Sequence, residues 1–146
     1  MKKMMWSSLG LSAAFVAGFA AGGVLPGESA AHAQAATRVF ELRTYTPDAG
    51  KLDLLHARFR DHTLRLFQRH GMTNVWYGKP MDAPLSQTTL IYLLAHQSRE
   101  AAKKSWDAFR ADPEWNRVRA ESEASGKIVE KVDAVFMTAA DFSPLK

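Results

Sequence analysis

The 146-residue sequence contains no cysteine, which excludes disulfide bonds, thiolate metal sites, iron–sulfur clusters and cysteine nucleophiles at once. It also lacks long runs of one charge. The formal net charge is +4, basic and acidic residues alternate along the chain, and no basic run exceeds two residues. A nucleic-acid-binding surface is therefore not expected.

Short motifs that mark common catalytic sites are missing as well. The sequence has no GxSxG turn, no GxGxxG or GxxxxGK[ST] phosphate-binding loop, and no HExxH or His-x-His pair. Hydrolase, dinucleotide-binding and nucleoside-triphosphate-binding functions are therefore not indicated. Neither a metal nor a cofactor is expected.

The first 33 residues have the pattern of an export signal. Lys2 and Lys3 give it a positive start, residues 9–21 are apolar, and small residues at positions 31 and 33 suit signal peptidase. We expect export by the general secretory route, to the periplasm or the outside, with cleavage after Ala33 or, as a second choice, after Ala35. The uncharged stretch is long enough to leave an uncleaved membrane anchor as the alternative. After cleavage no stable membrane span is expected.

The rest of the chain has the composition of one globular domain. Over the whole sequence, 47% of the residues are hydrophobic and 10% are aromatic, which is enough to build a packed core. We divide it into a short linker at 34–37, a folded domain at 38–140 and a tail at 141–146.

Hydrophobic periodicity predicts the order strand, helix, strand, strand, helix, strand. The second helix is expected to restart at Asp112-Pro113, because Asp is a favourable N-cap and Pro a favourable first helical residue. This order is typical of the ferredoxin-like βαββαβ fold, an α+β arrangement with a four-stranded antiparallel sheet and helices on one face. The second and third strands are expected to form a hairpin. The predicted strands are 38–46, 72–79, 88–95 and 128–138, and the predicted helices end at Gly71 and near Gly126.

Two segments resemble those of NIPSNAP domains: FELRTY at 40–45 followed by GKL at 50–52, and WDAFRADPEW at 106–115. The likeness spans residues 38–138. It implies a dimeric α/β barrel, in which two such sheets pack face to face, and it implies no settled activity. Independently, a sheet with helices on one face leaves an open face that needs a cover. We therefore expect a homodimer that buries about 1,200–2,000 Å².

His62 is the first candidate pocket residue, because it lies on the apolar stripe of the predicted first helix. Its imidazole is expected to point toward the sheet. Two interpretations remain open: a buried histidine with one structural hydrogen bond, or a polar group lining a cleft. His56, His70 and His96 give no such signal.

Arg43 and Tyr45 are further candidates, because they share one face of the first predicted strand with Glu41. They are expected either to form a cross-strand charge ladder with Lys131 and Asp133 or to grip a carboxylate or enolate. Trp106 is added as an aromatic pocket candidate, although Trp and Phe at helical spacing more often pack in the core.

Two functions follow from these observations. The first is a homodimeric domain that binds a small molecule of undefined identity. The alternative is a cofactor-independent monooxygenase or isomerase, because dimeric α/β barrels include antibiotic-biosynthesis monooxygenases; this rests on analogy of fold. A convergent set of polar side chains in the pocket would favour the enzyme, and only His62 is placed there by the sequence.

Overall fold

The computed structural model of this protein describes residues 38–146. The predicted export segment 1–33 and the linker 34–37 lie outside the described residues. Among the described residues, no helix is long and apolar enough to cross a membrane.

The described chain forms four strands and two helical segments in the predicted order. The first helical segment consists of α1, a π-helical turn at Phe59–Thr63 and α2, which run on without a break in helical backbone. A single turn of 3₁₀ helix at Leu85–Gln87 precedes the third strand. The elements are β1 (Val39–Pro47), α1 (Leu52–Arg58), α2 (Leu64–Arg69), β2 (Thr73–Gly78), β3 (Leu90–His96), α3 (Arg99–Ala111), α4 (Pro113–Ser122) and β4 (Val129–Thr138).

The strands form one antiparallel sheet in the order β2-β3-β1-β4. β2 and β3 pair as the expected hairpin, and β1 lies between β3 and β4. The two chain halves therefore interleave in the sheet, which confirms the ferredoxin-like α+β fold. The helices pack on one face, where an aromatic-rich core contains Phe59, Phe67, Tyr92, Trp106 and Phe109.

The π-helical turn contributes two residues to the buried side of the first helical segment. Phe59 and Thr63 are buried, whereas His62 is only half-buried and lies outside the core cluster. The Thr63 hydroxyl donates to the carbonyl oxygen of Arg58 at 3.1 Å. Thr63 lies four residues after Phe59 and shares its inward side, and His62 lies half-buried beside that position.

The junction of α3 and α4 follows the predicted pattern. Asp112 ends α3 and caps α4, its Oδ1 accepting from the backbone N–H of Glu114 at 2.7 Å and of Trp115 at 3.3 Å. Pro113 is the first residue of α4, where a missing N–H costs nothing. The Asp-Pro-Glu-Trp segment is thus a helix restart.

Alternation along β1 separates two chemically different faces of the sheet. Glu41, Arg43 and Tyr45 face the helices, while Phe40 and Leu42 face the open side. The open face continues through apolar residues of the other strands. Its members include Trp76, Ile91, Leu93, Val135 and Met137.

The predicted ladder between β1 and β4 does not form. The register pairs Asp133 with Thr44, so Asp133 shares the open face, opposite to that of Arg43. Lys131 lies on that same side and pairs with Asp133 at 2.8 Å. The sequence pattern identified the charges correctly but could not fix the register between strands so far apart in the chain.

The tail folds back on one end of the open face. Phe142 and Leu145 lie beside Phe40, Leu93 and Met137, around an apolar cavity of about 370 Å³. The Lys146 ammonium donates to the carbonyl oxygens of Ala140 and Asp141, which closes the tail on itself. Phe142 nevertheless remains almost fully exposed.

Candidate functional site

A buried carboxylate lies at the centre of the site. Glu41 is fully buried on β1, and its Oε2 accepts from His96 Nε2 at 3.0 Å and from Trp106 Nε1 at 2.7 Å. Its Oε1 accepts from the Arg43 guanidinium at 2.6 Å. These four residues, which we call the Glu41 centre, come from β1, β3 and α3.

The three donors keep Glu41 ionised. Burial alone would raise the pKa of its carboxyl group, but the hydrogen bonds from His96, Trp106 and Arg43 together hold that pKa below its ordinary value. A buried carboxylate with this many donors is stable as an anion. Within residues 38–146, no group of three His, Asp or Glu side chains is arranged to hold a metal ion.

Arg43 is held in place on several sides. Besides its ion pair with Glu41, its guanidinium lies over the Trp106 ring at 4.2 Å and near the Tyr45 ring at 5.6 Å. Its buried Nε has no hydrogen-bond partner in the described part of the chain. Arg43 is therefore a fixed cation whose buried Nε–H is unused.

Beside this centre, a cleft of about 480 Å³ opens between α3 and β4. Glu41 and Arg43 form its floor, and Ala134 and Phe136 of β4 form one wall. The opposite wall is formed by four residues of α3, which we call the basic stripe. They follow one another at steps of three and four and therefore share one helix face: Arg99, Lys103, Trp106 and Arg110.

A second, aromatic cavity of about 290 Å³ adjoins this α3–β4 cleft. Tyr45 of β1 and Val132 of β4 line the aromatic cavity. Each lies two residues from a residue that lines the cleft, Arg43 on β1 and Ala134 on β4, and on the same face of its strand. Arg58 and Arg119 stand at its edge. Its aromatic lining consists of Tyr45, Phe59, Phe67, Phe109 and Trp115.

Three of the four predicted pocket residues meet in this region. Arg43 lies near both Tyr45 and Trp106, but His62 lies on the first helical segment and lines neither the cleft nor the aromatic cavity. The sequence indicates Glu41 only as a strand neighbour of Arg43, and it gives no signal for His96. Their contact joins residues 55 positions apart, so no local pattern could have revealed it.

The fold defines a class of known structures that this chain resembles. These structures share its four-stranded antiparallel sheet with helices on one face. One solved structure of this kind is SnoaB, a cofactor-independent oxygenase from Streptomyces nogalater. It matches at 14% identity and a TM-score of 0.51, over 75% of this chain and 99% of its own.

Within this class the family is specific. The NIPSNAP family model matches residues 40–144, and the chain belongs to the NIPSNAP family. A NIPSNAP family protein with unknown function from Agrobacterium tumefaciens matches at 21% identity and a TM-score of 0.66, covering 76% of this chain and 96% of its own. A NIPSNAP-like domain protein from Burkholderia xenovorans matches at 15% identity and a TM-score of 0.64, covering 75% and 90%.

No curated protein matches the sequence significantly. The structural likenesses lie at or below 21% identity for the proteins named above, so they establish the fold and do not extend to an activity.

Proposed function

We propose that this chain is an exported, homodimeric NIPSNAP domain that binds a small molecule in the α3–β4 cleft. The observation that supports the proposal most is the Glu41 centre. A buried carboxylate orients Arg43 and Trp106 at the floor of an open cleft. Its volume of about 480 Å³ lies in the range of small-molecule sites. Fixed polar groups beside apolar walls are typical of such sites.

Native mass spectrometry tests the binding function. Protein purified from its own compartment is expected to carry an extra mass that disappears on denaturation. Ala134→Trp places a large side chain in the cleft and should abolish that extra mass. Ala120→Trp, at an exposed position of α4, is the matched control and should retain it. A ligand that survives in the Ala134→Trp variant would place the site elsewhere.

The open sheet face supports the homodimer. Trp76 is 53% exposed, Val135 56% and Met137 36%, and all three lie on this face beside half-buried Leu42 and Leu93. An apolar area of this kind is rarely left in water. A second copy of the same sheet, about 10 Å away, would cover it.

Light scattering tests the assembly. The mature protein should have about twice the monomer mass at micromolar concentration. Val135→Arg would put a charge into the proposed interface and should shift the protein toward monomer. Leu54→Arg, an exposed position on α1, makes the same chemical change outside the interface and should leave the mass unchanged. A wild-type monomer at every concentration would contradict the dimer.

Export is tested by fractionation of the host and N-terminal sequencing. The mature chain is expected to begin at Gln34 or at Ala36. An intact Met1 in the membrane fraction would support the anchor instead.

A cofactor-independent oxygenase is the second candidate, and it rests on the fold likeness to SnoaB together with Arg43 and Trp106 at the cleft and the buried His96 that contacts Glu41. An oxygen electrode with 1,4-dihydroxynaphthalene as the probe distinguishes the two. Oxygen uptake that depends on the protein and is lost in Ala134→Trp would favour the enzyme. Uptake no faster than in buffer would remove this candidate and leave the binding function.

A further inference from the structure

We propose that the α3–β4 cleft takes a small aromatic carboxylate, with its acid group at the basic stripe of α3 and its ring against β4. This inference rests on the proposed binding function and assigns that site a ligand class.

The charge of the cleft favours an anion. Its lining contains four basic side chains and two acidic ones. Glu41 and Arg43 form an ion pair with each other, so the excess of basic charge comes from the other lining residues, Arg99, Lys103 and Arg110 against Glu100. Among the described residues Arg99 has no carboxylate partner, while Lys103 and Arg110 share Asp107 on the outer surface.

The geometry of two guanidinium groups favours a flat acid group. Arg99 lies over the Phe136 ring at 3.7 Å, and Arg43 lies over Trp106 at 4.2 Å. Stacking uses the face of a guanidinium and leaves its in-plane N–H groups free to donate. Two such groups at one cleft match the two oxygens of a carboxylate.

Arg43 is partly accessible from the cleft. Its Nε is buried without a hydrogen-bond partner within residues 38–146, while the side chain as a whole is 16% exposed and lines the cleft. The exposed part of the guanidinium can therefore donate to a ligand.

The apolar wall of the cleft favours a ligand that has an apolar part as well as a negative charge. Ala134 and Phe136 offer no hydrogen-bonding side chain, and the aromatic cavity adjoins them through Tyr45 and Val132. A ring attached to the acid group would cover Ala134 and the part of Phe136 that the Arg99 guanidinium leaves uncovered. Inorganic phosphate would leave them in water.

Titration calorimetry on the mature protein provides the test, with 2-naphthoate as the probe. Naphthalene-2-methanol, which has the same rings without the charge, should bind at least about tenfold more weakly. Arg99→Gln should weaken 2-naphthoate about tenfold, and Lys103→Gln should weaken it less, because Lys103 is already paired with Asp107. Added salt should weaken the binding of 2-naphthoate to the wild type.

Two exposed residues provide matched controls. Arg117→Gln and Lys104→Gln remove the same charges from outside the cleft and should leave the affinity unchanged.

The other outcomes overturn the proposal in distinguishable ways. Equal binding of the charged and uncharged probes, unaffected by Arg99→Gln, would contradict the ligand class and leave the small-molecule site intact. Equally tight binding of inorganic phosphate would contradict the role of the apolar wall. If no naphthalene probe binds, the ligand class is wrong, and the native mass spectrum decides separately whether the cleft holds any ligand.

Discussion

Two carboxylates in this protein have nearly the same partners and different surroundings. Glu41 and Asp112 each accept from a histidine Nε2 and from an arginine, at 3.0 and 2.6 Å in the first case and at 2.7 and 3.3 Å in the second. The partners of Glu41 are buried or nearly so, and its centre forms the floor of a cleft. Around Asp112 the Arg69 side chain is 45% exposed. A carboxylate, histidine and arginine together are therefore not a sign of function; the burial of the partners and the neighbouring cavity distinguish the two centres.

Asp112 with His70 and Arg69, which we call the Asp112 centre, joins two helices. His70 and Arg69 at the end of the first helical segment bind Asp112, and Arg69 also binds Glu114 at 2.8 Å. Arg65 adds a second contact to Glu114. The Asp-Pro-Glu-Trp segment, on which much of the NIPSNAP resemblance rests, therefore ties α2 to α4 and lies away from the α3–β4 cleft.

The largest loss of stability is expected for Glu41→Gln. The substitution keeps the size of the side chain but leaves the largely buried Arg43 charge without its counter-ion. Removing one partner of a buried ion pair costs about 3–5 kcal/mol in the free energy of unfolding. Urea unfolding at one fixed protein concentration measures it, because the stability of a dimer depends on concentration.

A double variant makes this prediction sharper. Glu41→Gln with Arg43→Met removes both charges and should recover part of the lost stability, because no unpaired charge remains buried. If the loss of stability in the double variant equals the sum of the losses in Glu41→Gln and Arg43→Met, Glu41 and Arg43 are not coupled as the 2.6 Å contact implies.

Much of the fold could be predicted from the sequence because it depends on local patterns. Alternation along β1 placed Glu41, Arg43 and Tyr45 on one face, and the Asp112-Pro113 pair marked the helix restart. Each of these signals lies within a few neighbouring residues, and the structure agrees with both.

The rest depends on contacts between distant segments or on which of two neighbouring residues is buried. Trp106 reaches Glu41 across 65 residues, so the centre appears only once the fold is formed. Helical spacing from Phe59 fits both His62 and Thr63, three and four residues later, so the sequence period alone does not decide which of them is buried.

A smaller loss is expected for Asp112→Ala. The substitution removes the N-cap of α4 along with the contacts to His70 and Arg69. Loss of such a cap costs about 1–2 kcal/mol in the free energy of unfolding, and the exposed arginine adds little. A cost as large as that of Glu41→Gln would show that exposure of the partners does not separate the two centres.

The pH-dependent contribution of the Asp112 carboxylate to the free energy of unfolding should be smaller still. Its pKa is lowered to about 2, chiefly by the hydrogen bond from His70, with the Glu114 and Trp115 amides and Arg69 adding to it. The carboxylate therefore stabilises the fold at pH above about 4, where it is also ionised in the unfolded chain, and this contribution is lost as the pH falls toward 2. Relative to Asp112→Asn, which keeps a capping oxygen, the wild type should gain under about 1 kcal/mol at pH 7. Urea midpoints of the two proteins should converge on acidification; a difference that grows would contradict the lowered pKa.

The smallest effect is expected for His62→Leu, because His62 meets neither carboxylate. In the described part of the chain its side chain makes no hydrogen bond, and it is only half-buried beside the inward-facing Thr63. The free energy of unfolding should change by less than about 0.5 kcal/mol, and the affinity for 2-naphthoate should not change. Thr63→Val is the matched comparison, because it removes the 3.1 Å bond to the Arg58 carbonyl inside the π turn and should cost about 1 kcal/mol. The reverse order, a large loss at His62 and none at Thr63, would mean that His62 makes the structural contact and would return His62 to the candidate site.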